Sequence, residues 1–190
     1  MVHQITAIDE RIVLSLNSFF AKHSNTIIDK FFAEYLIYSL PVILLVLWFY
    51  SKDSKKVTLR ALFSVILAWP ILAYTIGNLI NRPRPFEITG IQELVFHRPD
   101  YSFPSDHASA LFAVAFSLWF SGYKKLAWAI LAMAIAVSFF RVATAIHFPT
   151  DILGGLAIGL LSAYLIDLFD KPLSIIYSFI LKICRVLHLA

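Results

Sequence analysis

The sequence predicts an all-α, polytopic integral membrane helix bundle of five to six spanning helices with interfacial amphipathic helices beside them. Three observations carry this. The 190-residue chain is 59% hydrophobic and 15% charged, with mean hydropathy +0.77, whereas a soluble domain is nearer about 45–50% apolar and roughly 25% charged. The apolar residues come in runs close to the ~20 residues that cross a bilayer as a helix. The basic residues gather between those runs and form no stripe, so the net charge of +4 and a pI of 9.2 argue for membrane topology and against nucleic-acid binding. Few Pro and Gly and no low-complexity segment make residues 1–190 one membrane-embedded domain. The lone Cys184 excludes an internal disulfide. No cleavable leader is expected at residues 1–10, which lack a basic start and an unbroken apolar run.

The spans are expected at residues 31–50, 61–80, 104–121, 126–146 and 149–169. Pro41 lies inside the first, where a kink is tolerable. The third and fifth are short, and their polar first turns suit an interface or a water-filled notch. Lys52, Lys55, Lys56 and Arg60 follow the first span, and Lys124 and Lys125 follow the third. By the positive-inside rule both basic segments are cytoplasmic loops. Counting helices between them then sends the three polar segments described next to one outward face. The N-terminal stretch carries Ile5, Ile8, Ile12, Leu16 and Phe19 at helical spacing, with Asp9 and Arg11 elsewhere, and reads as interfacial. The C-terminal stretch is likewise amphipathic, with Lys171, Ser174, Ser178, Lys182 and Arg185 on one side. A sixth, atypical span is the alternative there.

The polar segments are residues 81–86 (NRPRPF), 102–107 (SFPSDH) and 141–151 (RVATAIHFPTD). Ionisable groups at membrane depth are costly and are functional candidates by default. In the third segment, a helix begun at Pro149 puts Asp151 in its first turn, able to reach back toward His147. A carboxylate on one imidazole nitrogen leaves the other as acceptor or nucleophile. The plainer reading is a helix cap beside an incidental histidine. Arg141, in an otherwise apolar run, calls for an anion or a cluster of carbonyls. In the second segment, Pro104 at a first helical position leaves the amides of Ser105, Asp106 and His107 at a helix N-terminus, a phosphate-binding arrangement. The Ser105 hydroxyl adds a donor, and His107 can protonate a departing oxygen. A simple Ser/Asp cap is the alternative. In the first segment, prolines stiffen the backbone around Arg82 and Arg84, whose guanidinium forks match phosphate oxygens. Helix-end anchoring is the plainer reading, but arginines on an outward face need another reason. The loop between adds His97, Arg98 and Asp100.

Taken in order, R-P, P-S-x-H and R-x5-H-x3-D resemble the three-part signature of the type 2 phosphatidic acid phosphatase superfamily, which includes lipid phosphatases and vanadium haloperoxidases. The resemblance covers residues 76–155. It implies that Arg84, Ser105 and Arg141 bind phosphate, assisted by the amides of Asp106 and His107. It also implies that His147 attacks phosphorus to give a phosphohistidine, His107 protonates the leaving group, and Asp151 orients His147. No metal or other cofactor is implied. Three positions depart from the pattern. Gly77 stands where the family has a lysine, and Arg82 or Arg98 is expected to supply that charge. Asp106 stands for a glycine and Phe140 for a serine. The small size, the outward site and the stretch H-R-x-D-x-S-F-P-S-D-H are similar to bacterial undecaprenyl-diphosphate phosphatases of this superfamily. That implies hydrolysis of the terminal phosphate of a C55 isoprenyl diphosphate at the outer face of the bacterial plasma membrane, recycling the carrier for cell-wall synthesis. The expected partners are therefore the lipid phosphate and the bilayer, with no nucleic acid. Phosphatidylglycerophosphate, phosphatidate or several lipid phosphates are the alternative substrates. A non-catalytic lipid-phosphate binder is the alternative of another class, and the presence of both His107 and His147 argues against it.

Overall fold

The computed structural model describes residues 2–23, 25–87, 90–97 and 100–187, and every regular element among them is helical. Helix α1 (Val2–His23) is followed by a continuous helical segment, Thr26–Tyr50. That segment starts as α2 (Thr26–Lys30), widens into a π turn at Phe31–Tyr35, tightens at Leu36–Tyr38 and ends as α3 (Ser39–Tyr50). Next come α4 (Lys52–Ile66), a π turn at Leu67–Ala73 and α5 (Tyr74–Ile80). The remaining helices are α6 (Asp106–Phe120), α7 (Lys124–Ala143), α8 (Pro149–Leu168) and α9 (Asp170–Val186).

Among the described residues, four segments are long and apolar enough to cross a membrane: Thr26–Tyr50, Lys52–Glu87, Lys124–Ala143 and Pro149–Leu168. The shorter apolar α6 makes the fifth. It is the central helix, buried along almost its whole length among α4, α7 and α8. The expected loop at Lys52–Arg60 is instead the opening turns of α4, so the second span begins earlier than residue 61. The cause is a reciprocal cap. The Ser51 hydroxyl accepts the Ser54 amide at 3.1 Å, and the Ser54 hydroxyl accepts the Ser51 amide at 2.9 Å. Midway along, this span carries Pro70, which has no N–H to give the helical ladder; the π turn absorbs the defect.

The closest approach in the bundle is α6 against α8, and glycine makes it possible. A Cβ on Gly155 would meet the Ser105 carbonyl oxygen at 2.8 Å, and one on Gly159 would meet the Ala113 amide nitrogen at 2.8 Å. Small residues at this four-residue spacing let helix backbones touch in a bilayer. As a result the start of α6 lies against the start of α8, and the Ser105 amide donates to the Asp151 carbonyl at 3.1 Å. The flanking helices behave differently from one another. α9 is 17 residues long and amphipathic, with Tyr177 buried. α1 packs on α7 and α8 through Val13, which contacts Val142, Ala145 and Phe148.

Candidate active site

His147 is placed by the way α7 ends. The Ile146 amide donates to the Arg141 carbonyl at 2.9 Å and the Ala145 amide to the Val142 carbonyl at 3.0 Å, the paired bonds of a Schellman cap. Ala145 takes the left-handed position at φ 61° that this cap usually gives to glycine, a conformation that costs an L residue roughly 1–2 kcal/mol. The His147 amide also returns to the Arg141 carbonyl, at 3.1 Å. The six-residue spacing thus folds the chain back so that Arg141 and His147 share one pocket. The first segment is turned in by a similar device: Asn81 ends α5 in the left-handed conformation (φ 52°, ψ 41°), and the Arg82 carbonyl accepts the Ser102 amide at 2.9 Å.

The hydrogen bonds of His147 fix its tautomer. Nδ1 lies 2.7 Å from the Ser102 carbonyl oxygen, which can only accept, so Nδ1 carries the proton. Nε2 then presents its lone pair to the Arg141 guanidinium at 3.1 Å and the Arg84 guanidinium at 3.4 Å. Burial, and then the charges of Arg141 and Arg84, hold the imidazole well below its ordinary pKa and keep it neutral. Asp151 lies with Oδ2 3.5 Å from Nδ1, accepting the Phe148 amide at 2.7 Å. Its reach back to the histidine is therefore shared with a helix cap, and the Ser102 carbonyl takes the shorter bond.

Arg84, Arg141 and His147 expose only 4%, 2% and 1% of their surface. Arg84 donates from Nε to Asp100 at 2.7 Å and from an Nη to the Ile146 carbonyl at 2.8 Å. Arg141 donates to the Ala33 carbonyl at 2.9 Å, and its buried Nε has no hydrogen-bond partner among the described residues. The π turn at Phe31–Tyr35 is what offers that carbonyl, and it also turns Glu34 into the same space. Two guanidinium forks converging on a neutral imidazole make a cradle for a tetrahedral anion.

The cradle closes one end of a cavity of about 960 Å³. His107, half-buried and without a hydrogen bond among the described residues, lines that end together with His97, Asp100 and Asp106. From there the cavity continues as an apolar trench between α3 and α4, past Leu40, Leu44, Trp48, Leu62 and Val65.

Several predicted residues stand elsewhere than expected. Pro104 precedes α6 instead of opening it, and Ser105 is the N-cap. Its hydroxyl is fully buried and accepts the Ala108 amide at 3.5 Å, off the cavity wall. Arg82, expected to supply the charge of the missing lysine, stays off the cavity wall and turns toward Asp151 and Asp9. Arg98 lies outside the described residues. At Gly77 a Cβ would already touch the Phe103 carbonyl oxygen at 3.4 Å. Asp106 does face the cavity, and its carboxylate accepts a hydrogen bond from Trp69 instead of pairing with an arginine. Trp69, Glu34 and Asp9 are absent from the sequence-based site. Glu34 carried a usable signal, a carboxylate inside an apolar span; Trp69 and Asp9 carried none.

Residues 57–171, more than half of the chain, match the model of the PAP2 superfamily. The chain belongs to the PAP2 superfamily. It is accordingly a multi-span membrane lipid phosphatase. The chain is 29% identical over 165 residues to undecaprenyl-diphosphatase BcrC of Bacillus subtilis, covering 85% of this chain and 84% of that protein. It is 33% identical to the bacitracin transport permease protein BcrC of Bacillus licheniformis, covering 78% and 73%. The crystal structure of LpxE from Aquifex aeolicus shares the fold at TM-score 0.66 and 20% identity, covering 82% of this chain and 92% of that one. In this PAP2 bundle the three signature segments are bonded directly to one another through Arg82, Ser102, Ser105, His147 and Asp151.

Proposed function

We propose that the protein removes the terminal phosphate of undecaprenyl diphosphate through a phosphohistidine, without a metal. The observation that carries this reading is the cavity itself: a polar end where the guanidiniums of Arg84 and Arg141 converge on a neutral His147, continuous with a long apolar trench open between α3 and α4. A charged head and a long hydrocarbon tail fit such a space, and the resemblance to an undecaprenyl-diphosphatase favours an isoprenyl diphosphate over other lipids.

In the proposed reaction the terminal phosphate takes over the N–H groups of Arg84 and Arg141 that His147 Nε2 holds at rest. The amides of Asp106 and His107, at the free N-terminus of α6, assist. Nε2, released, forms a bond to phosphorus while the bond to the bridging oxygen breaks. His107, entering the step as the imidazolium, delivers a proton to that oxygen and is left neutral. Nδ1 of His147 keeps its proton, donated to the Ser102 carbonyl with Asp151 nearby, which spreads the charge gained by the ring. Water, losing a proton to His107, then hydrolyses the phosphohistidine and releases inorganic phosphate.

The test is a substrate panel on purified protein, comparing undecaprenyl diphosphate with phosphatidylglycerophosphate and phosphatidate at matched detergent ratio. The expected result is the highest kcat/KM on the diphosphate and turnover that survives EDTA. A preference for phosphatidylglycerophosphate or phosphatidate overturns the substrate choice, and a strict Mg²⁺ requirement overturns the mechanism. The site is further proposed to face outward, because Lys52, Lys55, Lys56, Lys124 and Lys125 lie at the opposite helix ends. With Cys184 replaced, Phe86→Cys in intact cells should react with an impermeant maleimide and Lys52→Cys should not. The reverse pattern inverts the topology.

A further inference from the structure

The N-terminal helix α1 reads from sequence as a passive interfacial element, yet it buries a carboxylate. Asp9 is 2% exposed. A carboxylate removed from water at a membrane boundary is held only by well-formed partners. Those partners belong to the active site. An Asp9 oxygen accepts from Arg82 at 2.8 Å, the other accepts the Thr150 amide at 3.2 Å, and the Thr150 hydroxyl also bonds the carboxylate. The second Nη of Arg82 donates to Asp151 at 2.7 Å and to the Thr150 hydroxyl at 2.6 Å, with the guanidinium lying 4.0 Å over the Phe148 ring.

We propose that Asp9 and Arg82 form a clamp that positions Asp151 and, through it, His147, so that α1 is a working part of the active site. The inference rests on the phosphatase reading above, in which His147 is the nucleophile. Arg82 has both arms of a planar fork engaged on different carboxylates, so its place is over-determined: it cannot turn toward the cavity without breaking both ion pairs. Asp151 in turn has one oxygen on Arg82, and the other bonds the Phe148 amide and faces His147 Nδ1. The order Asp9, Arg82, Asp151, His147 runs from α1 to the nucleophile without a gap. The same face of α1 is anchored twice more. Val13 is buried against Ala145 and Phe148, on the return turn that carries His147. Asn17 exchanges two hydrogen bonds with the Gln92 backbone, both 2.9 Å, in the stretch leading to His97. Asp9, Val13 and Asn17 are four residues apart and form a single helical stripe. Asp9 and Arg82 touch neither the cavity nor the reacting atoms, so both are positioning residues.

The test is rapid-quench measurement of phosphoenzyme formation on the full-length protein, using undecaprenyl diphosphate labelled in its terminal phosphate. Asp9→Asn and Arg82→Gln are each expected to slow the rate constant by about 10- to 100-fold, the loss usual when an outer partner of an active histidine is removed. The amplitude should stay near that of the parent protein, Asp9→Glu should recover part of the rate, and the double variant should be no slower than the worse single one. A loss of amplitude at unchanged rate would mean that α1 only holds the fold, and overturns the proposal. A parent protein that forms no phosphoenzyme rejects the phosphohistidine, not the clamp. The clamp is also read without substrate, by a double-mutant cycle of Asp9→Asn and Arg82→Gln on thermal unfolding. Additive losses there overturn it.

Discussion

The two ends of the bundle are both rich in charge, and Arg141 at one end is held differently from Lys56 and Arg60 at the other. Helix α8 joins them, from Asp151 at its first turn to Asp167 near its last, about 24 Å apart at 1.5 Å per residue. At the far end Lys56 pairs with Asp170 at 2.8 Å, and Arg60 pairs with Asp167 and with Asp170. Lys56 and Arg60 each have a carboxylate, and the cluster ties α4 to α8 and α9. At the cavity end Arg141 has a backbone carbonyl and an imidazole, and among the described residues no carboxylate within salt-bridge distance. A cation matched by a carboxylate is a fastener. One matched only by dipoles in a buried space is a candidate seat for an anion, the role the proposed function gives to Arg141.

The sharpest way to break this contrast is at the imidazole between the two guanidiniums. His147→Asn should lower turnover by about 10⁴-fold or more, the scale of a lost nucleophile, with the fold retained by circular dichroism. Turnover within tenfold of the parent would reject the assignment. The same variant carries a signature in stability. The folded state holds His147 well below its ordinary pKa, so below about pH 6.5 the unfolded chain binds a proton that the native protein does not. Stability contributed by the neutral ring is therefore present above that pH and is lost as pH falls. Thermal scans from pH 7.5 to 5.5 should show a fall in Tm that is smaller in His147→Asn.

The contrast is sharpened by making one substitution at both ends. Arg141→Gln should cost about 10²- to 10³-fold in kcat/KM, as loss of a buried donor to a developing oxyanion does. Arg60→Gln should leave kcat/KM within about threefold and lower stability by about 1 kcal/mol, since one of its partners is partly exposed. Equal kinetic losses at the two ends would dissolve the distinction between fastener and anion site.

Much of this architecture was legible in the chain. The long apolar segments, the short third span and the convergence of the three polar segments on one face follow from hydropathy and from counting helices between the two basic clusters. Arg84, Arg141, His147 and Asp151 were legible as chemistry, because a membrane span does not carry such groups idly. Other residues are placed where identity alone does not send them, because identity is not direction. Arg82 and Arg84 stand two positions apart in a stiff segment and look equivalent; one enters the cavity and the other turns to Asp9. Ser105 reads as a phosphate donor and is spent as a cap. Asp9 reads as the polar side of an amphipathic helix and is among the most buried charges described.

The sequence by itself determined the membrane bundle, the family and the set of groups available for phosphate chemistry, because hydropathy and local spacing are properties of contiguous residues. Only the tertiary structure decided which of those groups face the cavity, that the Ser102 carbonyl accepts the Nδ1–H of His147, and that α1 reaches the residues beside His147. Those outcomes depend on contacts between residues as far apart in the chain as Asp9 and Thr150. They are set by how closely Gly155 and Gly159 let two helices approach and by a left-handed turn at Ala145, and neither distance nor handedness is written in the local pattern.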